Sequence, residues 1–103
     1  MAQVKLTASV ASQEKLADGI YSMWIDAEPV ASQAKAGQFV SVYSKDGAKL
    51  LPRPISLCEV DKEQGKIRLV YRVAGVGTEE FSHYQPGDSI DILGPLGNGF
   101  PLE

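Results

Sequence analysis

"KIRLVYRV", Lys66–Val73, alternates apolar and polar side chains almost without a break. A period of two is the signature of a half-buried strand, so Ile67, Leu69, Tyr71 and Val73 share one face. The other face carries Lys66, Arg68 and Arg72, a short basic stripe interrupted by Val70. Just upstream, the turn "DKEQG" follows "PRPISLCEV", a second strand-like run whose two prolines flank Arg53. Each proline fixes its own φ, removes an N–H and biases the residue before it toward extended geometry, so Leu51 and Arg53 are pre-set as extended. Central ladder positions tolerate proline badly, which places the start of this strand at a sheet edge or rim.

The same reading extends in both directions. Val4, Leu6, Ala8 and Val10 alternate with polar residues, and "IYSMWID", Ile20–Asp26, follows the turn pair Asp18-Gly19, so a hairpin is expected. "QFVSVY", Gln38–Tyr43, is a third strand, separated from the second by "AEPVASQAKAG", read as a loop bracketed by Pro29 and Gly37. "SKDGAK" supplies a turn. Downstream, "TEEFSHY" is expected to be a helix of about two turns begun by Thr78 and stopped before Pro86-Gly87. "DSIDIL", ending at Leu93, is the last strand, and "GPLGNGFPLE" dissolves into glycine and proline. Six strands spaced by turns with one short helix predict an all-β protein, a small antiparallel barrel or sandwich.

Bulk composition narrows the function. The 103 residues amount to one domain, 44% hydrophobic and 22% charged, as in ordinary globular proteins. No apolar run approaches a membrane span and the N-terminus lacks a secretory h-region, so no membrane role and a cytoplasmic location are expected. With Cys58 as the single cysteine, the chain alone supplies neither a disulfide nor a multi-cysteine metal or iron–sulfur site. A net charge of −3 argues against a general nucleic-acid binder. Any anion site is therefore local.

Three segments could form one: Arg53–Ser56, Val70–Arg72, and "GVGT", Gly75–Thr78. Guanidinium groups present a planar fork that matches two phosphate oxygens, so Arg53 and Arg72 suit a pyrophosphate. Gly75 and Gly77 allow close backbone approach, and a helix N-terminus favours an anion near Gly77 and Thr78. "GVGT" is not a dinucleotide fingerprint, since the third glycine is absent.

"RPIS", then "LVYRVAGVGT", then "QPGDSIDILGPLGNGF", together with "AGQFV", resemble the flavin-binding domain of the ferredoxin reductase-like superfamily, and within it the electron-transfer subunits of NAD-dependent dihydroorotate dehydrogenases. The likeness covers nearly the whole chain. It implies a six-stranded antiparallel Greek-key β-barrel binding FAD at its rim. By that resemblance Arg53 pairs with the pyrophosphate, Pro54, Ile55 and Ser56 line the isoalloxazine and ribityl groups, Val70, Tyr71 and Arg72 run alongside, and Gly77 with Thr78 holds phosphate. Residues 1–93 would be the barrel and 94–103 a connector toward an NAD-binding domain, which in the family is followed by a cysteine-rich stretch holding a 2Fe-2S cluster.

Implied partners are those further domains and the catalytic subunit of a dihydroorotate dehydrogenase; self-association of a barrel lacking its second domain is a further expectation. In the same resemblance, FAD exchanges hydride with a nicotinamide and single electrons with the iron–sulfur centre. Alternatives are the equivalent domain of a ferredoxin-NADP reductase or sulfide dehydrogenase-like subunit, or a flavin-free binding barrel. Ile55 stands where many plant-type reductases have a stacking tyrosine. Strict alternation also sets Arg53 and Ser56 on opposite faces, so a bulge or a main-chain contact is required. His83 is read as a helix-end or surface residue, Cys58 as a small buried hydrophobe, Trp24 as packing, and Asp88 and Asp91 as solvated.

Overall fold

The computed structural model describes residues 4–35, 37–43, 52–74 and 76–97. Six strands, β1 (Val4–Ala17), β2 (Ile20–Asp26), β3 (Phe39–Tyr43), β4 (Arg53–Asp61), β5 (Lys66–Arg72) and β6 (Ser89–Leu96), close into an antiparallel barrel in the order β1-β2-β5-β4-β3-β6. The expected all-β barrel is the observed fold. Alternation sets what lies inside: Met23 and Ile25 of β2, Val40 and Val42 of β3, Ile67 and Leu69 of β5 are all at most 1% exposed.

Closure depends on β1. Its first half pairs with β6 from Val4↔Gly94 to Ser9↔Ser89, and its second half pairs with β2 from Ser9↔Asp26 to Ala17↔Ile20. A bulge between Val10 and Ser12 bends the strand where it changes partner, and a second lies between Lys15 and Ala17. The Asp18-Gly19 hairpin forms as expected, with Gly19 at φ 74°.

Three elements differ from the sequence reading. The stretch read as one loop contains a four-residue helix, α1 (Glu28–Ala31), with Pro29 in its first turn, where its missing N–H removes no bond. It buries Val30 and Ala31 against the barrel; one turn is too short to show a helical period. The second helix, α2 (Val76–Ser82), begins two residues before Thr78. Thr78 is therefore not its cap: from within the first turn its Oγ1 accepts the Ala74 N–H at 2.7 Å. Finally, β6 runs on through Gly94 and Pro95 to Leu96, which pairs with neither solvent nor turn but with the barrel through Phe39↔Leu96.

The two positive-φ hairpin glycines provide a test of local packing. A Cβ on Gly19 would meet nothing within 4 Å, whereas one on Gly65 (φ 68°) would lie 2.9 Å from the Cβ of Glu28 at the start of α1. Gly19→Ala should cost about 1–2 kcal/mol of backbone strain and Gly65→Ala visibly more. Thermal melting of the two variants checks this; equal losses would deny the α1 contact.

Candidate functional site

Strands β4 and β5 are ladder neighbours only from Leu57↔Leu69 to Asp61↔Lys66. Both continue beyond Leu57 and Leu69, but with different partners. β4 pairs with β3 from Phe39↔Ser56 to Val42↔Arg53, while β5 pairs with β2 from Ser22↔Val70 to Ile20↔Arg72. The strands splay, and between them opens a cleft of about 230 Å³ lined by Arg53, Pro54, Ile55, Ser56, Val70, Tyr71, Arg72 and Thr78.

Proline chemistry keeps the ladder from resuming beyond Ser56. Leu57 donates its N–H to the Gln38 carbonyl (2.7 Å) and accepts the Gly37 N–H (3.3 Å), so its main-chain groups face β3. Main-chain groups alternate sides along an antiparallel strand, so those of Ser56 and Pro54 face β5. Pro54 has no N–H to offer a ladder there. By the same alternation the Ser56 N–H, just beyond the last register pair, faces the cleft that Ser56 lines.

This geometry also resolves the conflict between Arg53 and Ser56. A bulge does occur in β4, but at Cys58, between Leu57 and Glu59. Ile55 and Leu57 point inward, Ser56 outward, and Arg53 is exposed at the barrel end. The cleft runs along the open edge of the strand and not over one face, so residues of both parities reach it.

The basic stripe of β5 divides by function. Lys66 Nζ lies 3.8 Å from Asp26, and Arg68 pairs with Glu59 at 3.4 Å while its Nε donates to Ser22 at 2.8 Å. Arg72 and Arg53, both exposed, make no ion pair among the described residues. No carboxylate is among the described residues lining the cleft. Two uncompensated guanidinium groups at one mouth, with an inward main-chain donor, form a site suited to an anionic ligand.

Eight of the nine residues expected at a flavin site thus meet at one cleft. Gly77 falls in the first turn of α2, and Gly75 lies outside the described residues, as does Leu51. Tyr71 contributes a wall while its ring packs inward, 5.9 Å from Tyr21 in a stacked arrangement and 6.5 Å edge-on to Phe81. Burial, with a smaller contribution from Tyr21, raises its phenol well above the ordinary value. Tyr84 is raised in the same direction, by burial first and then by the hydrogen bond it donates to Glu80.

Cys58 corrects an expectation: it is exposed, because it shares the parity of the outward Ser56, whereas the inward set of β4 is Ile55 and Leu57. His83 is exposed. Trp24 is half-buried on the outer face and Asp91 accepts the Thr7 hydroxyl at 2.6 Å. Asp88 accepts the Gln85 N–H in the turn before β6. Gln13, which no sequence pattern singles out, bonds to Tyr71 behind the cleft. A larger hollow of about 340 Å³, lined by Ala11, Ser12, Trp24, Asp61, Gln64 and Lys66, mixes both signs of charge. Its lysine already faces Asp26 and its Asp61 accepts the Gln64 N–H; we therefore place the anion site at the smaller cleft.

Residues 7–100 match the family of oxidoreductase FAD-binding domains. The chain belongs to this family. It is 46% identical over 96 residues to the electron transfer subunit of dihydroorotate dehydrogenase B (NAD(+)) from Bacillus caldolyticus, covering 92% of this chain and 37% of that protein. The corresponding Streptococcus mutans subunit is 42% identical over 99 residues, covering 96% and 38%. A solved NADH-dependent reduced ferredoxin-NADP oxidoreductase superposes with a TM-score of 0.83 at 31% identity, covering 91% of this chain and 34% of that one. The chain thus spans under two fifths of the length of these relatives.

In this FAD-binding barrel the Ser56 amide should exchange with solvent deuterium far faster than the Leu57 amide beside it, and adding FAD should slow Ser56 selectively. Residue-resolved hydrogen exchange checks this; equal protection of both amides before FAD is added would mean that the ladder continues past Leu57.

Proposed function

We propose that the cleft between β4 and β5 holds FAD, with the isoalloxazine and ribityl groups against Pro54–Ser56 and Val70–Tyr71 and the diphosphate at Arg53, Arg72 and the Gly77–Thr78 end of α2. The observation that carries this reading is the open strand edge with two unpaired guanidinium groups at its mouth. At about 230 Å³ the cleft accommodates part of a dinucleotide, and the remainder lies along the surface. FAD supplies the redox chemistry: it exchanges electron pairs with a nicotinamide and single electrons with an iron–sulfur centre. This chain's residues bind and orient it, and no acid, base or nucleophile is required of them.

We further propose that the protein serves as the flavin module of an electron-transfer subunit working with a dihydroorotate dehydrogenase catalytic subunit in pyrimidine synthesis, in the cytoplasm. The barrel extends through Leu96 of β6, and in the family such a barrel is joined to an NAD-binding and 2Fe-2S portion. The 42–46% identity to dihydroorotate dehydrogenase subunits favours this over a ferredoxin-NADP reductase or sulfide dehydrogenase-like role, and membership of the FAD-binding family disfavours a flavin-free barrel.

Titration with FAD, followed by flavin fluorescence and absorbance, tests the site. Arg53→Ala and Arg72→Ala should each weaken FAD binding about tenfold or more while leaving the melting temperature of the flavin-free protein nearly unchanged, since neither side chain is packed. Lys66→Ala should leave affinity unaltered. Binding that is indifferent to both arginines would move the diphosphate elsewhere.

A further inference from the structure

Gln13 is a polar residue turned toward the inside of the barrel. The alternation that buries Ala8 and Val10 would, if continued, aim Ser12 inward and Gln13 at solvent. The bulge after Val10 reverses this. Val10 stands opposite Ile25, Ser12 opposite the outward Trp24, and Gln13 opposite the buried Met23. Re-aiming one side chain is a recognised use of a bulge.

The amide is engaged at both ends. Its Nε2 donates to the carbonyls of Phe81 (3.0 Å) and Tyr84 (2.9 Å), at and just beyond the end of α2, and its Oε1 accepts the Tyr71 hydroxyl (2.5 Å). Tyr71 belongs to the β5 wall of the cleft, and α2 carries Thr78 to the same cleft. Gln13 itself is not among the described residues that line it. One side chain on β1 therefore ties together the two elements that bound the site from the β5 side. An amide suits this position because its NH2 supplies two donors and its carbonyl an acceptor.

We infer that Gln13 is a positioning residue for FAD, holding α2 against β5 and so setting the spacing between Thr78 and the Val70–Arg72 wall. The inference rests on the reading of this cleft as the FAD site. It separates affinity for FAD from stability of the barrel, which a merely structural hydrogen bond would not do.

The test compares FAD dissociation constants and flavin-free melting temperatures for the native protein, Gln13→Leu, Gln13→Glu, Tyr71→Phe and Ile90→Val. Gln13→Leu keeps approximate size and loses all three bonds. Gln13→Glu keeps the acceptor for Tyr71 but loses the donors. Ile90, paired with Ala8 across the β6–β1 seam, sits on the far side of the barrel from the cleft and controls for destabilisation alone. Both Gln13 variants should bind FAD about tenfold or more weakly, Tyr71→Phe about threefold, and Ile90→Val within about twofold of native. Gln13 variants within twofold of native, or losses matched by Ile90→Val at equal loss of melting temperature, would overturn the inference. Should the Gln13 variants not fold, Tyr71→Phe decides, and unchanged affinity there overturns it. A native protein that binds no FAD removes the site assignment itself, whereas native binding with indifferent Gln13 variants removes only the role of Gln13.

Discussion

A strand can ladder with both neighbours only if it has a donor to give on each side, and at Pro54 β4 has none on the side facing β5. That deficit denies β4 a ladder with β5 at Pro54, beyond the last register pair at Leu57↔Leu69, where the two strands diverge toward β3 and β2 and the cleft lies between them. Barrels suppress open edges by closing. Here closure is complete around the ring yet leaves a short length of edge unpaired at one end, where a ligand finds main-chain groups already oriented.

Electrostatics then selects what enters. A protein of net charge −3 has no general attraction for anions, so the preference must be made locally by withholding partners from particular cations. Lys66 and Arg68 are given carboxylates, while Arg53 and Arg72 at the mouth are not. Exposed guanidinium groups lose little on waiting in water and gain paired, charge-assisted hydrogen bonds when a diphosphate arrives. The stability of the barrel rests elsewhere, in inward residues such as Met23, Ile25 and Leu69, which lets binding and folding be altered separately.

Much of this was legible in the residues. The period of two in Lys66–Val73 gave both the inward set and the outward stripe, and the prolines around Arg53 located the rim. What could not be read were features whose signal is shorter than a period or absent from one. α1 is a single turn built around Pro29. The bulges at Ala11 and Cys58 are shifts of register that leave no mark in composition, and with the first of them went the inward turn of Gln13. Thr78 was found for its place beside the cleft but given the wrong position in its helix, because Gly75-Val76-Gly77 does not resemble a helix start.

The central claim, that the flavin lies along the open edge between β4 and β5, is tested most directly by mapping backbone amide chemical shifts as FAD is added. Changes concentrated at residues 53–56, 70–72 and 78 are the predicted result. Changes concentrated at Ala11, Ser12, Trp24 and Lys66, around the larger hollow, with the β4–β5 edge unmoved, would contradict it.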